Sequence, residues 1–317
     1  MKNKKLKSAL TGFLYLTPAL LILLIFRIIP IFFSVRISLY DWGMAGARQF
    51  LGLTNYFRVL QDPVFWQSLL NTFWYAIFSI PIMLILSLFF AILLNQKIKG
   101  LGFYRTLYYL PVVTSIVAVS IVWKWLFNPE RGLLNYLLSF IHVSTIRWLE
   151  DPRGIFTLIF NPLHINLPTI LNGPSVALCS VILMSIWKGL GYNIVIFLAG
   201  LQNIPTAYYE AAKIDGAGRF RIFRNVTWPL LTPITFYILV MSTISAFEAF
   251  AQIWMMTGPP AGGPLGTTKV VMYYFYEQSF ELWRLGYGAS IAFFAFLIIL
   301  ALTIFQRQFL EKRVTYA

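Results

Sequence analysis

The chain has 317 residues, 59% of them hydrophobic and only 11% charged, with a net charge of +14. A soluble globular chain carries roughly a quarter charged residues, so this composition excludes an ordinary water-soluble domain. A nucleic-acid binder gathers Lys and Arg on one soluble face, whereas here they lie in short stretches between apolar runs.

Apolar runs of about 20 residues, the length of a bilayer-crossing helix, predict six spans at about 12–33, 69–94, 107–127, 176–200, 229–250 and 286–306. The expected fold is an all-α integral membrane protein forming a single domain over residues 1–317. The first run follows Lys2, Lys4, Lys5 and Lys7 and is interrupted only by Arg27. It exceeds the apolar core of a cleavable signal and no Ala-x-Ala site directly follows its end, so it reads as a retained first helix.

An even number of spans puts both termini on one side. Lys97, Lys99 and Arg105, then Lys213, Arg219, Arg221 and Arg224, then Arg307, Lys312 and Arg313 fall on the same side as the N-terminal lysines. The longer opposite segments hold fewer basic residues, among them Arg36, Arg48, Arg58, Arg131, Arg147, Arg153, Lys269 and Arg284, and most of the acidic ones. The positive-inside rule then predicts cytoplasmic termini. Tyr40, Trp42, Trp74, Tyr75, Tyr108, Tyr109, Trp123, Trp125 and Trp228 lie near the expected interfaces, although aromatics form 18% of the chain and fall everywhere.

The outer segment from about Asn128 to Pro174 carries Pro129, Pro152, Pro162, Pro168 and Pro174 around an apolar patch, Gly154–Phe160, which fits a short helix lying on the membrane surface. Cys179 is the only cysteine and lies in an apolar run, where a lone thiol acts as a small hydrophobe. The outer loop Gly258-Pro-Pro-Ala-Gly-Gly-Pro264 is dense in turn formers and cannot continue a helix.

The inner connection between spans four and five, residues 201–228, is long for a turn. Pro205 and Gly216 bracket a short helix, and a second is expected over Arg219–Asn225. An amphipathic helix on lipid headgroups accounts for the arginines of the second half. It does not account for Glu210-Ala211-Ala212, which offers small side chains and one carboxylate in place of an apolar face. Small residues let a helix enter a partner's groove closely, while a charge fixes its register.

Glu210-Ala211-Ala212-x-x-Asp215-Gly216-Ala217, followed by Val226-x-Trp228-Pro229, resembles the coupling-loop motif of the membrane subunits of binding-protein-dependent ABC importers. Val226 and Trp228 stand where that family usually has Ile and Leu. Leu16-Thr-Pro18-Ala, Asp41-Trp, Asn55-Tyr56, Asn71-Thr72, Tyr104-Arg105 with Pro111, Trp123 to Pro129, and Phe197 to Pro205 are similar to its carbohydrate-uptake group. The resemblance implies a type I importer permease in a bacterial or archaeal plasma membrane, forming half of an alternating-access pore beside a second six-span subunit. It further implies a cytoplasmic ATPase dimer that binds ATP and Mg, an extracytoplasmic solute-binding protein, and a sugar-like solute. Glu210 would contact the ATPase, Ala211 and Ala212 would permit close approach, and Gly216 would make the turn. Asp215 would either cap the elbow or contact the partner.

Span five carries Thr235, Ser242, Ser245, Ala249 and Gln252 at helical spacing, with Glu248 beside them. Polar groups in a bilayer helix face packed helices or an aqueous cavity. Span four holds Trp187-Lys188-Gly189-Leu190-Gly191-Tyr192-Asn193, and a charge at membrane depth signals function. The same small residues also serve close helix packing. In related sugar permeases these regions line the solute site, which favours Gly191, Asn193, Ser242 and Ser245. Tyr192, Phe247 or Phe250 would supply an aromatic face, and a Lys188–Glu248 pair across the two spans is expected.

A membrane-bound transferase would need paired carboxylates or a metal cluster, yet His142 and His164 are far apart and Glu150-Asp151 reads as a surface turn. No Gly-x-x-x-x-Gly-Lys loop is present to cradle ATP phosphates. A stand-alone carrier would not need a projecting loop. Neither alternative explains residues 210–217.

Overall fold

The computed structural model describes residues 2–96, 99–161, 168, 171–258 and 262–310. His164 and the basic residues Lys97, Lys312 and Arg313 lie outside the described residues.

Two compact units make up the chain, Met1–Asp62 with Phe275–Phe294, and Pro63–Tyr274 with Ala295–Ala317. In the first, α1 (Lys2–Leu23) runs through a wide π-helical turn, Leu24–Ile28, into α2 (Ile29–Ser38). No part of its apolar window is buried, so Phe13, Phe26 and Phe32 need lipid or another membrane chain around them. A hairpin absent from the sequence reading follows: β1 (Tyr40–Gly43) pairs antiparallel with β2 (Gly46–Phe50), and α3 (Thr54–Gln61) closes it. Asn55, quoted above for its resemblance, serves as a clamp, its amide donating to the carbonyls of Ser38 (2.9 Å) and Tyr40 (3.0 Å). Tyr56 shares a 2.6 Å hydroxyl contact with Ser38 and packs edge-on against Phe293 and Phe294.

In the second unit, α4 (Pro63–Leu94) lies along α9 (Val176–Asn203), and α12 (Trp228–Phe247) packs on both. Ala91, Leu94, Phe197, Leu201, Leu231 and Ile238 form the buried seam. Gly200 lets α12 approach, since a Cβ there would meet Ile234. Asn71 and Thr72 of α4 anchor the chain beyond Pro264: Asn71 donates to the carbonyls of Gly266 and Lys269, and the Thr72 hydroxyl accepts from the Val271 amide at 3.0 Å.

Among the described residues, five helices are long and apolar enough to cross a membrane: Thr11–Ser38, Pro63–Leu94, Val176–Asn203, Arg219–Phe247 and Leu285–Gln308. A bent pair, α5 (Leu101–Val113) and α6 (Ile116–Leu126), makes the sixth if counted as one span. The expected span 107–127 is therefore corrected to two helices meeting at 99°. Pro111 removes a donor near the end of α5, and Thr114 and Ser115 both take extended backbone, which ends one helix and starts the next.

Among the described residues of the segment 128–174 are two short helices, α7 (Leu133–Ser139) and α8 (Ile155–Phe160). Asn135 organises the first, donating to the carbonyls of Pro129 and Ile146 and accepting from the Trp148 indole at 2.9 Å. The connection 201–228 holds α10 (Thr206–Ile214). The separate helix expected over Arg219–Asn225 is corrected as well: α11 (Arg219–Ile222) continues through a π-helical turn, Phe223–Thr227, into α12. Pro229 has no N–H for an i−4 bond, and the wide turn shifts the register, with the Trp228 amide reaching back to the Phe223 carbonyl.

Span five also ends earlier than expected, at Phe247. Glu248 caps the helix, and α13 (Ala251–Thr257) begins after a break in which Phe250 leaves helical geometry. Ala249 and Gln252 are thus not on the same helix as Ser242 and Ser245. The remaining helices are α14 (Val271–Tyr276) and α15 (Leu285–Leu310).

Candidate functional site

Two features stand out, a cavity among the apolar helices and the projecting α10. The cavity has a volume of about 460 Å³, within the range of small-molecule sites. α4 supplies Tyr75 and Ser79, α9 supplies Ser185, Lys188, Tyr192 and Asn193, and α12 supplies Ser242 and Ser245. Gln252 of α13 and Ile116 of α6 complete much of its wall.

Six of the residues singled out from sequence therefore converge: Lys188, Tyr192, Asn193, Ser242, Ser245 and Gln252. Gln252 donates to the Tyr75 hydroxyl at 3.1 Å and thereby joins α13 to α4 across the cavity. Gly191, Glu248 and Ala249 are not among the lining residues. Gly191 packs on α5, where a Cβ would run into the Tyr108 carbonyl. Glu248 is exposed and Ala249 is buried. Thr235 turns its hydroxyl back to the Leu231 carbonyl at 3.0 Å.

The expected Lys188–Glu248 pair does not form. The Lys188 ammonium instead donates to the carbonyls of Pro111 (3.0 Å) and Thr114 (2.8 Å), at the broken end of α5. The last carbonyls of a helix lack intrahelical partners and form the negative end of its dipole, which makes a cation the fitting donor. Ser79 and Ser185 escaped the sequence reading, and Tyr75 was read there only as an interface aromatic, although Tyr75 and Ser79 are four residues apart and share a helix face. Phenols, hydroxyls and amides dominate the polar lining, a set that recognises a solute by hydrogen bonds.

α10 projects with Glu210, Ala211, Lys213 and Ile214 exposed and Ala212 half-buried. Its C-terminus is a Schellman stop: the Ala217 amide returns to the Ala212 carbonyl at 2.9 Å and the Gly216 amide to that of Lys213 at 3.0 Å. Gly216 has φ +74°, the left-handed conformation that this stop requires. Asp215 is the cap residue, its amide bonded to the Ala211 carbonyl. Tyr209 lies beside Thr227, with hydroxyls 3.4 Å apart, so α10 touches the π-helical turn that leads into α12. At its other end only Ile204 and Pro205 separate it from α9. The helix is thus connected directly to two of the cavity's walls.

Comparison with known proteins gives these features a context. The family described as binding-protein-dependent transport system inner membrane component matches residues 51–316. The probable ABC transporter permease protein YesP of Bacillus subtilis is 35% identical, over 94% of this chain and 89% of its own length. The trehalose/maltose transport system permease protein MalF of Thermococcus litoralis is 32% identical, over 95% and 93%. The sn-glycerol-3-phosphate transport system permease protein UgpA of Agrobacterium fabrum is 32% identical over the whole of both chains. A chain in the crystal structure of a bacterial ABC transporter importing the acidic polysaccharide alginate shares the fold, with TM-score 0.77, 22% identity and 98% of each chain covered. With bilayer-length helices and these relatives, the chain belongs to the family of binding-protein-dependent transport system inner membrane components.

Proposed function

We propose that this permease imports a sugar or sugar-like solute through the cavity between α4, α9, α12 and α13, and is driven by an ATPase that docks on α10. It forms half of an alternating-access pore in a bacterial or archaeal plasma membrane, with a second six-span subunit as the other half. An extracytoplasmic binding protein delivers the solute, both termini face the cytoplasm, and ATP with Mg binds in the partner ATPase. The observation that carries this reading is the placement of α10. An exposed helix that carries Ala211 and Ala212 and is stopped at Gly216 follows α9 after two residues and touches the turn entering α12, so force applied to it reaches the cavity walls. The sugar class draws support from the trehalose/maltose relative, from the alginate importer's fold, and from the hydroxyl, phenol and amide lining, which suits a polyol.

Gentle affinity purification from native membranes, followed by identification of co-purifying chains, tests the assembly. A second permease and an ATPase are expected, with the ATPase lost selectively on Glu210→Ala. A chain that purifies alone and still moves solute in vesicles would overturn the reading in favour of a stand-alone carrier.

A further inference from the structure

At membrane depth a helix break is costly, because hydrocarbon offers no partner for freed backbone groups. The break between α5 and α6 lies beside the cavity, with Ile116, the first residue of α6, in the cavity wall. Two of its carbonyls, those of Pro111 and Thr114, are nevertheless satisfied. The Pro111 carbonyl accepts from the Thr114 hydroxyl at 2.7 Å and from Lys188, while the Thr114 carbonyl accepts from Lys188 as well. Gly191, one turn further along α9, holds α9 and α5 close, with the Tyr108 carbonyl and Val112 against its bare Cα. One ammonium, reaching from α9, thus bridges both sides of Val113, at the point where α5 gives way to the turn into α6.

We propose that Lys188 is a positioning residue that joins α9 to the α5–α6 break, so that a displacement of α9 moves the start of α6 and the cavity wall with it. An ammonium has three N–H groups; the Lys188 ammonium donates to two carbonyls, and Lys188 is itself part of the cavity lining. A solute oxygen on the third donor would bear on the same joint. For its final step, the transfer of movement from an ATPase through α10 to α9, the inference rests on the function proposed above. The joint itself stands on geometry alone.

Nitroxide pairs in a Cys179→Ser background test it, in the full-length chain purified with its associated chains from native membranes and placed in lipid nanodiscs. One pair, Val122 of α6 with Leu183 of α9, reports the joint; a second, Ile85 of α4 with Val195 of α9, reports the general packing, all four positions being exposed on the chain. Wild type and Lys188→Arg are expected to give a single narrow distance distribution for the first pair. Lys188→Met is expected to lose it to a broad or second population, while the second pair stays unchanged. An unchanged first pair in Lys188→Met would overturn the proposal. So would equal broadening of both pairs, which would make Lys188 a general packing residue. Should Lys188→Met fail to accumulate, Lys188→Gln, neutral but still polar, is read against the same two outcomes. No solute or ATP enters these measurements, so their failure leaves the docking role of α10 standing, and the loss of that role leaves the joint standing.

Discussion

Gly216 sits at φ +74° with nothing within 4 Å of the place a Cβ would occupy. A side chain there meets no steric wall and costs only the backbone strain of a left-handed residue, about 1–2 kcal/mol. Gly216→Ala is therefore expected to insert in the membrane normally and keep its thermal stability within a few degrees, while the last turn of α10 loosens and ATPase recovery on purification falls. At the cavity, Gln252→Leu removes the hydrogen bond to Tyr75 and one amide from the lining. With a net worth of about 0.5–1.5 kcal/mol for such a bond, the half-saturating concentration for uptake should rise several-fold, up to roughly ten-fold, with expression unchanged. Between α6 and α9, Arg153 donates to Asp151 through its guanidinium and backbone amide, holding that carboxyl below the usual range. A depressed folded value stabilises the chain above the ordinary carboxylate pKa of about 3.9, and the contribution is lost as pH falls through the folded value. Thermal stability should therefore show no Asp151-dependent change between neutral pH and pH 5, and Asp151→Asn should differ from wild type only slightly, as expected of a pair whose guanidinium is exposed to solvent. At this scale, the sequence marked Lys188 as a charge in the wrong medium and therefore of consequence. It did not reveal the partner, because backbone carbonyls freed by a helix break leave no residue-type signal.

The elements were legible wherever periodicity and length speak together. The long apolar runs became helices at nearly the expected places, and α10 is bracketed by Pro205 and Gly216 as their residue types require. The departures come from prolines and turns within apolar sequence. Pro111 with Thr114-Ser115 splits one run into α5 and α6, whereas Pro229 does not separate Arg219–Asn225 from span five. The π-helical turn before Pro229 ends two residues ahead of it, and the turn before Pro30 in the first helix does the same. In each case one extra residue per turn absorbs the missing donor and the ring, so a proline in an apolar run does not by itself tell a break from a bulge. The β1–β2 hairpin left little trace, as two short strands around Gly43 and Gly46 have too few residues to show alternation. Close contact between elements also yields a prediction. A Cβ at Gly200 would collide with Ile234 and press on Leu231, so Gly200→Val should force α12 away from α9 at a cost of about 1–3 kcal/mol. A lowered melting temperature in detergent is the measurement.

For the molecule as a whole, apolar composition fixed the solvent, and the solvent fixed the architecture, since hydrocarbon admits helices whose backbone groups are internally satisfied. Residues spread over nearly 180 positions, from Tyr75 to Gln252, meet around one cavity. That convergence was only partly visible in advance. Spans four and five were recognised by their polar stripes, while the α4 wall was hidden within a helix read for its hydrophobicity alone. The cavity and α10 are joined through α9 and α12, which gives the importer reading its physical content: an exposed handle at one end and a solute-sized space at the other. The measurement that bears most directly on it is site-specific photo-crosslinking in native membranes from Ile214, 86% exposed on α10, with a second probe at Val122 of α6 as control. The account predicts one dominant adduct from Ile214 to an ATP-binding chain, abolished by Gly216→Pro and absent from Val122. Adducts to lipid alone from Ile214 would contradict it and return α10 to a helix resting on the membrane surface.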